Sequence, residues 1–296
     1  GFYWSPDSKN IAYYQFNESD VTEFTMDFYY GKTYPSPYTF KYPKAGEDNS
    51  KITIFDYNIG SKESVKLIET DSKYEYFPRL KWTLDNDLCV LAMNRHQNNL
   101  DYVIINKNSA NEFTTKVVYT DKSKTYVEVD NNLIFLKDGK SFLRTSEKDG
   151  YRHIYKVGFN GSETQLTKGE WDVVELKGIN ESTNQVYYVS AKEGAIYKAL
   201  YVTDLKGKKC SKLSELKGDN DASFSTGMKY YINYYTNANQ PYLITLHNAK
   251  GKQLKVLKDN AKLNETIASF NLPKKEFITI KGHNTDLNAW IIKPAD

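Results

Sequence analysis

The sequence predicts an all-β protein made of β-propeller blades, each an antiparallel four-stranded sheet. Three observations predict it. A module of polar turn followed by a short apolar or aromatic strand recurs along the 296 residues. The later copies keep a constant spacing. The composition, 40% hydrophobic and 15% aromatic with 25 Tyr, suits pleated, half-buried strands.

The copies are taken in chain order. Asp7-Ser8-Lys9-Asn10 precedes Ile11-Ala12-Tyr13, and Asp85-Asn86-Asp87 precedes Leu88-Cys89-Val90-Leu91. Lys137-Asp138-Gly139-Lys140 precedes Ser141-Phe142-Leu143. Asn180 to Asn184 precedes Val186-Tyr187-Tyr188-Val189, and Thr226-Gly227-Met228-Lys229 precedes Tyr230-Tyr231-Ile232. Measured between Ile11, Leu88, Phe142, Val186 and Tyr230, the spacings are 77, 54, 44 and 44. A repeat of roughly 40–50 residues is that of a propeller blade. The first interval is longer because an aromatic excursion occupies residues 17–50.

Each module continues alike. A second strand follows: Ile52–Phe55, Tyr102–Ile105, His153–Val157, Ala199–Val202 and Tyr242–Leu246. Four of the five then turn on a glycine, at Gly60, Gly161, Gly207 and Gly251. A third short strand closes the unit at Val65–Ile68, Gln165–Thr167, Ser211–Leu213 and Leu254–Leu257. Strand, hairpin and strand without a helical period read as antiparallel sheets. A β-sandwich is the rival fold, but it carries no such superperiod. Gly1-Phe2-Tyr3-Trp4 is read as lacking the opening strand of its own blade. After Asn271-Leu272-Pro273 the period ends, and Glu276–Ile280 and Leu287–Ile292 form a hairpin around Gly282-His283-Asn284-Thr285.

Bulk properties exclude several functions. The 40 basic and 37 acidic residues leave a net charge of +3, and the lysines are scattered. No basic groove with stacked aromatics is legible, so nucleic acid is not expected as a partner. No apolar run reaches the roughly 20 residues of a membrane span. Cys89 and Cys210 cannot build a disulfide framework, and each is expected to be buried as a small hydrophobe. The acceptor triplets at Asn17, Asn180 and Asn264 arise readily by chance in an Asn-rich chain.

Catalytic motifs are missing. No Gly-x-Ser-x-Gly elbow exists, so no serine acquires the exposed position of an α/β-hydrolase nucleophile. His96, His153, His247 and His283 show no metal-ligand spacing. His153 is expected to be structural, bonded to backbone or carboxylate at a blade turn. The pairs Asp85/Asp87 and Asp219/Asp221 lack the longer ligand series of a calcium loop and read as turn residues. No cofactor or metal is expected.

The ordered fragments carry a resemblance. Trp4-Ser5-Pro6-Asp7 with Ile11-Ala12-Tyr13-Tyr14, followed by Tyr42-Pro43-Lys44-Ala45-Gly46 and Asn49, resembles the N-terminal propeller of the dipeptidyl peptidase IV family, serine peptidases of the prolyl oligopeptidase class. Asn94-Arg95-His96-Gln97-Asn98 is similar to a segment of that family's following blade. Asp149-Gly150-Tyr151-Arg152-His153-Ile154 and Thr167 to Val173 resemble its next paired signatures. The resemblance covers essentially the whole chain.

It implies about five blades of an eight-bladed propeller over 1–272, with an arm insertion at 17–50. Residues 273–296 would be a hairpin leading into an α/β-hydrolase domain absent from the chain. The family removes N-terminal dipeptides with Pro or Ala at the second position, so peptide substrates and a homodimer are the implied partners, in a periplasmic, cell-envelope or extracellular setting. The family's amine-binding Glu pair precedes the segment matching Trp4-Ser5-Pro6, and Glu18 and Glu23 are not substitutes for it. Tyr126 and Glu128 fall where the family's propeller lines its substrate cavity. Phe24, Phe28, Tyr29, Tyr34, Tyr38 and Phe40 crowd the arm that packs on a second subunit in family dimers. The chain is thus expected to be the non-catalytic propeller portion of a dipeptidyl-peptidase-like exopeptidase. A stand-alone propeller interaction module is the alternative.

Overall fold

A computed structural model describes residues 1–108 and 112–294. Among them are five four-stranded antiparallel sheets of the propeller-blade type, two two-stranded sheets and one helix. The first sheet contains β1 (Phe2–Trp4), β2 (Asn10–Asn17), β5 (Lys51–Asn58) and β6 (Glu63–Glu69), in the order β1-β2-β5-β6. Between β2 and β5 the chain leaves the sheet as a separate hairpin, β3 (Glu23–Phe28) and β4 (Ser36–Lys41). The second sheet runs β7 (Tyr76–Trp82), β8 (Leu88–Met93), β9 (Asn99–Lys107), β10 (Phe113–Lys122). The third runs β11 (Ile134–Phe135), β12 (Ser141–Ser146), β13 (His153–Gly158), β14 (Glu163–Gln165). The fourth runs β15 (Val173–Asn180), β16 (Gln185–Ser190), β17 (Ala199–Asp204), β18 (Cys210–Lys212). The fifth runs β19 (Asp219–Phe224), β20 (Tyr230–Asn237), β21 (Gln240–Asn248), β22 (Gln253–Lys258). Helix α1 (Ala261–Ser269) and the hairpin β23 (Lys275–Lys281) and β24 (Asp286–Ile292) complete the chain.

Short-range chemistry fixes the turns. Asp7 Oδ1 accepts from the Ser5 hydroxyl at 2.7 Å and from the Lys9 N–H at 3.1 Å, an Asx turn that reverses the chain between β1 and β2. Asp138 repeats the device before β12, accepting from the N–H groups of Lys140 and Ser141 at 2.9 Å. Asp204 does so after β17 and Asn248 after β21. The recurrence of an Asp or Asn at these reversals is the polar half of the sequence repeat.

The chain divides into two compact units. The first comprises Gly1–Val129 with Phe135–Ser141 and Gly158–Ser162. Its core joins Ala12 and Ile54 of the first sheet to Leu80, Leu88, Val90 and Val103 of the second. Every residue of β8 is buried, which explains its unbroken Leu-Cys-Val-Leu-Ala-Met run. A strand covered on both faces has no reason to alternate. Each such Leu or Val contributes about 1.5–3 kcal/mol of burial. The second unit comprises Asp130–Ile134, Phe142–Val157 and Glu163–Asp296. There Tyr187, Val189, Leu200 and Val202 of the fourth sheet pack on Ala222 and Tyr231 of the fifth.

Four local expectations are corrected. Phe2–Trp4 pair with Ile11–Tyr13, so the first blade does have its opening strand. Gln165 ends β14, and Leu166 and Thr167 lie beyond it. Asp219 and Asp221 sit on β19, not in a turn. Cys89 is buried, but Cys210 is exposed on the short strand β18 with its Sγ 3.2 Å from the Tyr188 hydroxyl, and both thiols are free.

Candidate functional site

In the second unit, the first strands of the fourth and fifth sheets carry a charged array. β15 is bulged twice, its register shifting between Val173 and Glu175 and again between Leu176 and Gly178. A bulge re-aims the side chain of the extra residue. Lys177 is that residue in the second bulge. Its Nζ lies 2.6 Å from Glu175 and 2.6 Å from Asp221, bridging β15 to β19. The Lys177 side chain is 9% exposed, whereas both acids are 54% exposed. Burial works against the Lys177 ammonium, but hydrogen bonds to Asp221 and Glu175 outweigh it and hold its pKa above the ordinary lysine value. Gly178, at φ +145°, takes a conformation L side chains rarely adopt, and a Cβ there would meet the Met228 methyl at 2.8 Å.

A second pair stands beside the first: Lys198 Nζ is 2.9 Å from Asp219. The Asn220 amide donates to the carbonyls of Lys198 at 3.0 Å and Leu216 at 2.9 Å, fixing the start of β19. Glu175, Lys198, Asp219 and Asp221, with Tyr234 and Tyr242, line a cavity of about 450 Å³. That volume is within the range of small-ligand sites. Three carboxylates meet two ammoniums, Lys177 being shared between Glu175 and Asp221, so the array carries one excess negative charge, and among the described residues no serine, cysteine or histidine lines the cavity. The excess negative charge suits a polar or cationic group, and no serine or cysteine nucleophile lines the cavity among the described residues. Sequence reading missed it, although acids alternate at Asp219 and Asp221 and Glu175 and Lys177 stand two apart, a period-two signal of one strand face.

The expected site residues lie in the first unit. Tyr126 and Glu128 flank Val127 in the loop after β10, and both are exposed. Val127 is buried, and its N–H donates to the Gln97 carbonyl at 2.9 Å, so the loop is pinned between the two side chains. The arm residues form a ladder on one ribbon. Phe24 pairs across the hairpin with Phe40, and Met26 with Tyr38, placing them on one face. Ring centroids lie 6.2 Å apart for Phe24 and Phe40, 5.5 Å for Tyr38 and Phe40, and 5.7 Å for Phe28 and Tyr38. Tyr29, Tyr34 and Tyr38 are exposed, Tyr34 to 82%. Such edge and tilted pairs stiffen a ribbon.

The motif segments meet in space. Glu75 accepts from Asn49 at 2.7 Å and from Arg95 at 2.8 Å, tying the Tyr42–Asn49 segment to Asn94–Asn98. His153 is fully buried against Trp171, ring centroids 4.9 Å apart. Its Nε2 is 2.9 Å from the Gly169 carbonyl and its Nδ1 3.1 Å from the Thr167 hydroxyl. A carbonyl only accepts, so Nε2 carries the proton and the Thr167 hydroxyl donates to Nδ1. His153 therefore joins the two signatures around it and is structural.

The five four-stranded antiparallel sheets define a β-propeller segment. The chain belongs to the family described as the dipeptidyl peptidase IV (DPP IV) N-terminal region, which matches residues 1–242. It is similar to the Aspergillus flavus protein named "Probable dipeptidyl peptidase 4", 29% identical over 92% of this chain and 37% of that protein. It is also similar to "Inactive dipeptidyl peptidase 10" of Rattus norvegicus, 25% identical over 99% of this chain and 39% of that protein. The crystal structure of Porphyromonas gingivalis dipeptidyl peptidase 4 superposes with a TM-score of 0.86 and 36% identity, covering 99% of this chain and 42% of that one. The chain thus spans about two-fifths of the length of these relatives.

Proposed function

We propose that this chain is the propeller portion of a longer dipeptidyl-peptidase-type serine exopeptidase, where it gates and positions peptides whose second residue is Pro or Ala. The observation that carries this reading is the similarity to the Porphyromonas gingivalis enzyme over 99% of the chain. The absence of a Gly-x-Ser-x-Gly elbow supports a division of labour in which another domain supplies the nucleophile. Residues 273–296 are the connection to that domain: Phe277 pairs with Trp290 on β23 and β24, and both are about half exposed, 48% and 59%. Tyr126 and Glu128 contribute to the substrate cavity, and the aromatic hairpin β3–β4 to a homodimer contact.

The test is hydrolysis of a Gly-Pro chromogenic substrate. The 296-residue chain should be inactive and the full-length protein active. Turnover by this chain alone would refute the reading. One observation favours a second reading: the similarity to a relative named as inactive supports a propeller that serves only as an interaction module. A full-length protein that folds, lacks an elbow serine and fails to cleave the substrate would establish that reading instead.

A further inference from the structure

The outer strands of the fourth and fifth sheets share a charge pattern that the other sheets lack. Residues 205–214 run from the turn after β17 through β18, and residues 249–258 from the turn after β21 through β22. The first stretch reads Leu-Lys-Gly-Lys-Lys-Cys-Ser-Lys-Leu-Ser, the second Ala-Lys-Gly-Lys-Gln-Leu-Lys-Val-Leu-Lys. Each holds four lysines and no carboxylate. The outer strands elsewhere each carry an acid: Glu63 and Glu69 on β6, Asp121 on β10 and Glu163 on β14. Residues 198–262 contain twelve lysines against five acids, a net charge of +7 in a chain whose total is +3, so the rest of the chain is net negative.

The two stretches meet. Gly251 stands against Leu213, the residue after β18, so close that a Cβ on it would lie 3.3 Å from the Leu213 carbonyl oxygen. That contact sets Lys250 and Lys252 beside the end of β18, which Lys209 precedes and Lys212 closes. All residues of β18 and β22 are exposed, as are Lys206, Lys208, Lys209, Lys250 and Lys252. Lys212 Nζ is 2.6 Å from Glu193, and the other seven lysines form no ion pair among the described residues. Asp204, before the first turn, is engaged by that turn's own backbone, its Oδ1 accepting from the Lys206 and Lys208 N–H groups at 2.9 and 3.0 Å. Unneutralised ammoniums on adjoining strands make a patch whose complement is an extended anionic surface.

The character of β22 selects among anions. Leu254, Val256 and Leu257 are 48%, 45% and 43% exposed, interleaved with Lys252, Lys255 and Lys258. A cationic strand with exposed aliphatic side chains suits the headgroup and acyl boundary of an anionic bilayer. A single-stranded nucleic acid calls for aromatic side chains to stack its bases, and neither stretch has one. An added β-strand is disfavoured as well. β22 slips register twice against β21, between Ile244 and Thr245 and between Leu246 and His247, and bulged, lysine-bearing edges resist pairing.

We propose that β18 and β22, with the turns that precede them, form a peripheral docking surface for an anionic lipid bilayer, the lysines meeting the headgroups and Leu254, Val256 and Leu257 the acyl boundary. The surface is independent of the peptidase reading above. The test is co-sedimentation of the full chain with vesicles of phosphatidylcholine, alone or with about one-third phosphatidylglycerol. Binding should require phosphatidylglycerol and fall at least about tenfold between about 0.05 and 0.5 M salt. A lysine close to an anionic surface contributes about a fivefold factor, so Lys250→Gln/Lys252→Gln/Lys255→Gln/Lys258→Gln should weaken binding at least about fiftyfold. Lys206→Gln/Lys208→Gln/Lys209→Gln should weaken it at least about tenfold. Removing the same charge at Lys32, Lys62, Lys116 and Lys122, exposed lysines outside the patch, should change it less than about twofold. Leu254→Ser/Leu257→Ser should weaken it at least about fivefold; if that variant fails to fold, the lysine variants decide, because their side chains stand in water. Equal binding to phosphatidylcholine vesicles, no binding at low salt, equal losses from the lysine sets inside and outside the patch, or unchanged binding in the folded serine variant would overturn the proposal. Retention on soluble dextran sulfate without vesicle binding would assign the patch to a soluble polyanion and overturn it too.

Discussion

Removing the Lys177 bridge should cost less than removing its partners. Lys177 is 9% exposed, while Glu175 and Asp221 are each 54% exposed. In Lys177→Met the stem is replaced at similar volume, and the two carboxylates, already half in water, regain hydration. What is lost is two charge-assisted hydrogen bonds reduced by solvent screening, about 1–2 kcal/mol. In Glu175→Ala/Asp221→Ala the ammonium keeps its burial and loses both counter-charges. Breaking a buried pair in that sense costs about 3–5 kcal/mol. Urea denaturation of the full chain at neutral pH measures both. The pH dependence follows from the raised Lys177 pKa. The stabilisation is fully present below the ordinary lysine value of 10.5 and is lost as pH rises through the folded value. The gap between wild type and Lys177→Met should therefore hold through neutral pH and close only in strong alkali. Lys177→Met destabilising more than the double variant would refute the reasoning.

Three further outcomes are expected. Gly169→Ala should destabilise by about 1–3 kcal/mol in thermal melts, because Gly169 sits at φ +136° and a Cβ there would press on the Trp171 indole nitrogen. Asp56→Asn should raise the Tm at neutral pH, because Asp56 is buried within β5 and its Oδ1 meets no donor among the described residues; the folded carboxyl titrates above its ordinary 3.8, so its penalty appears as pH rises through that range, and the two proteins should converge below 3.8. On the homodimer contact proposed for β3–β4, Tyr34→Ala/Tyr38→Ala should shift the full-length protein toward monomer in analytical ultracentrifugation, and an unchanged mass would refute that contact.

The blades were legible because two periodicities coincide. Turn chemistry at Asp7, Asp138, Asp204 and Asn248 marks four of the reversals. Runs such as Leu88–Met93 mark strands covered on both faces. The first strand of each sheet was harder to read. β11 has two residues, and β15 is interrupted by bulges that break its alternation. Helix α1 has no buried residue, so it has no apolar stripe locked to a core. The charged array was invisible for another reason. Lys177 and Asp221 are distant in sequence, and an Asp-x-Asp pair looks the same in a turn as on a strand. Cys210 reads as core from its neighbours, but β18 is an edge of its sheet and exposes all three of its residues.

The aromatic hairpin leaves and rejoins its parent sheet at facing positions: Asn17, the last residue of β2, is paired with Lys51, the first of β5. The ribbon β3–β4 lies between them, and the segment that follows it is anchored separately, Asn49 to Glu75 and the Glu47 carbonyl to Arg95. The ribbon β3–β4 can lengthen or shorten while Asn10–Asn17 and Lys51–Asn58 keep every cross-strand neighbour and Asn49 keeps its bond to Glu75. A change in the ribbon's length or sequence therefore leaves the strand pairing of the blade beneath it intact.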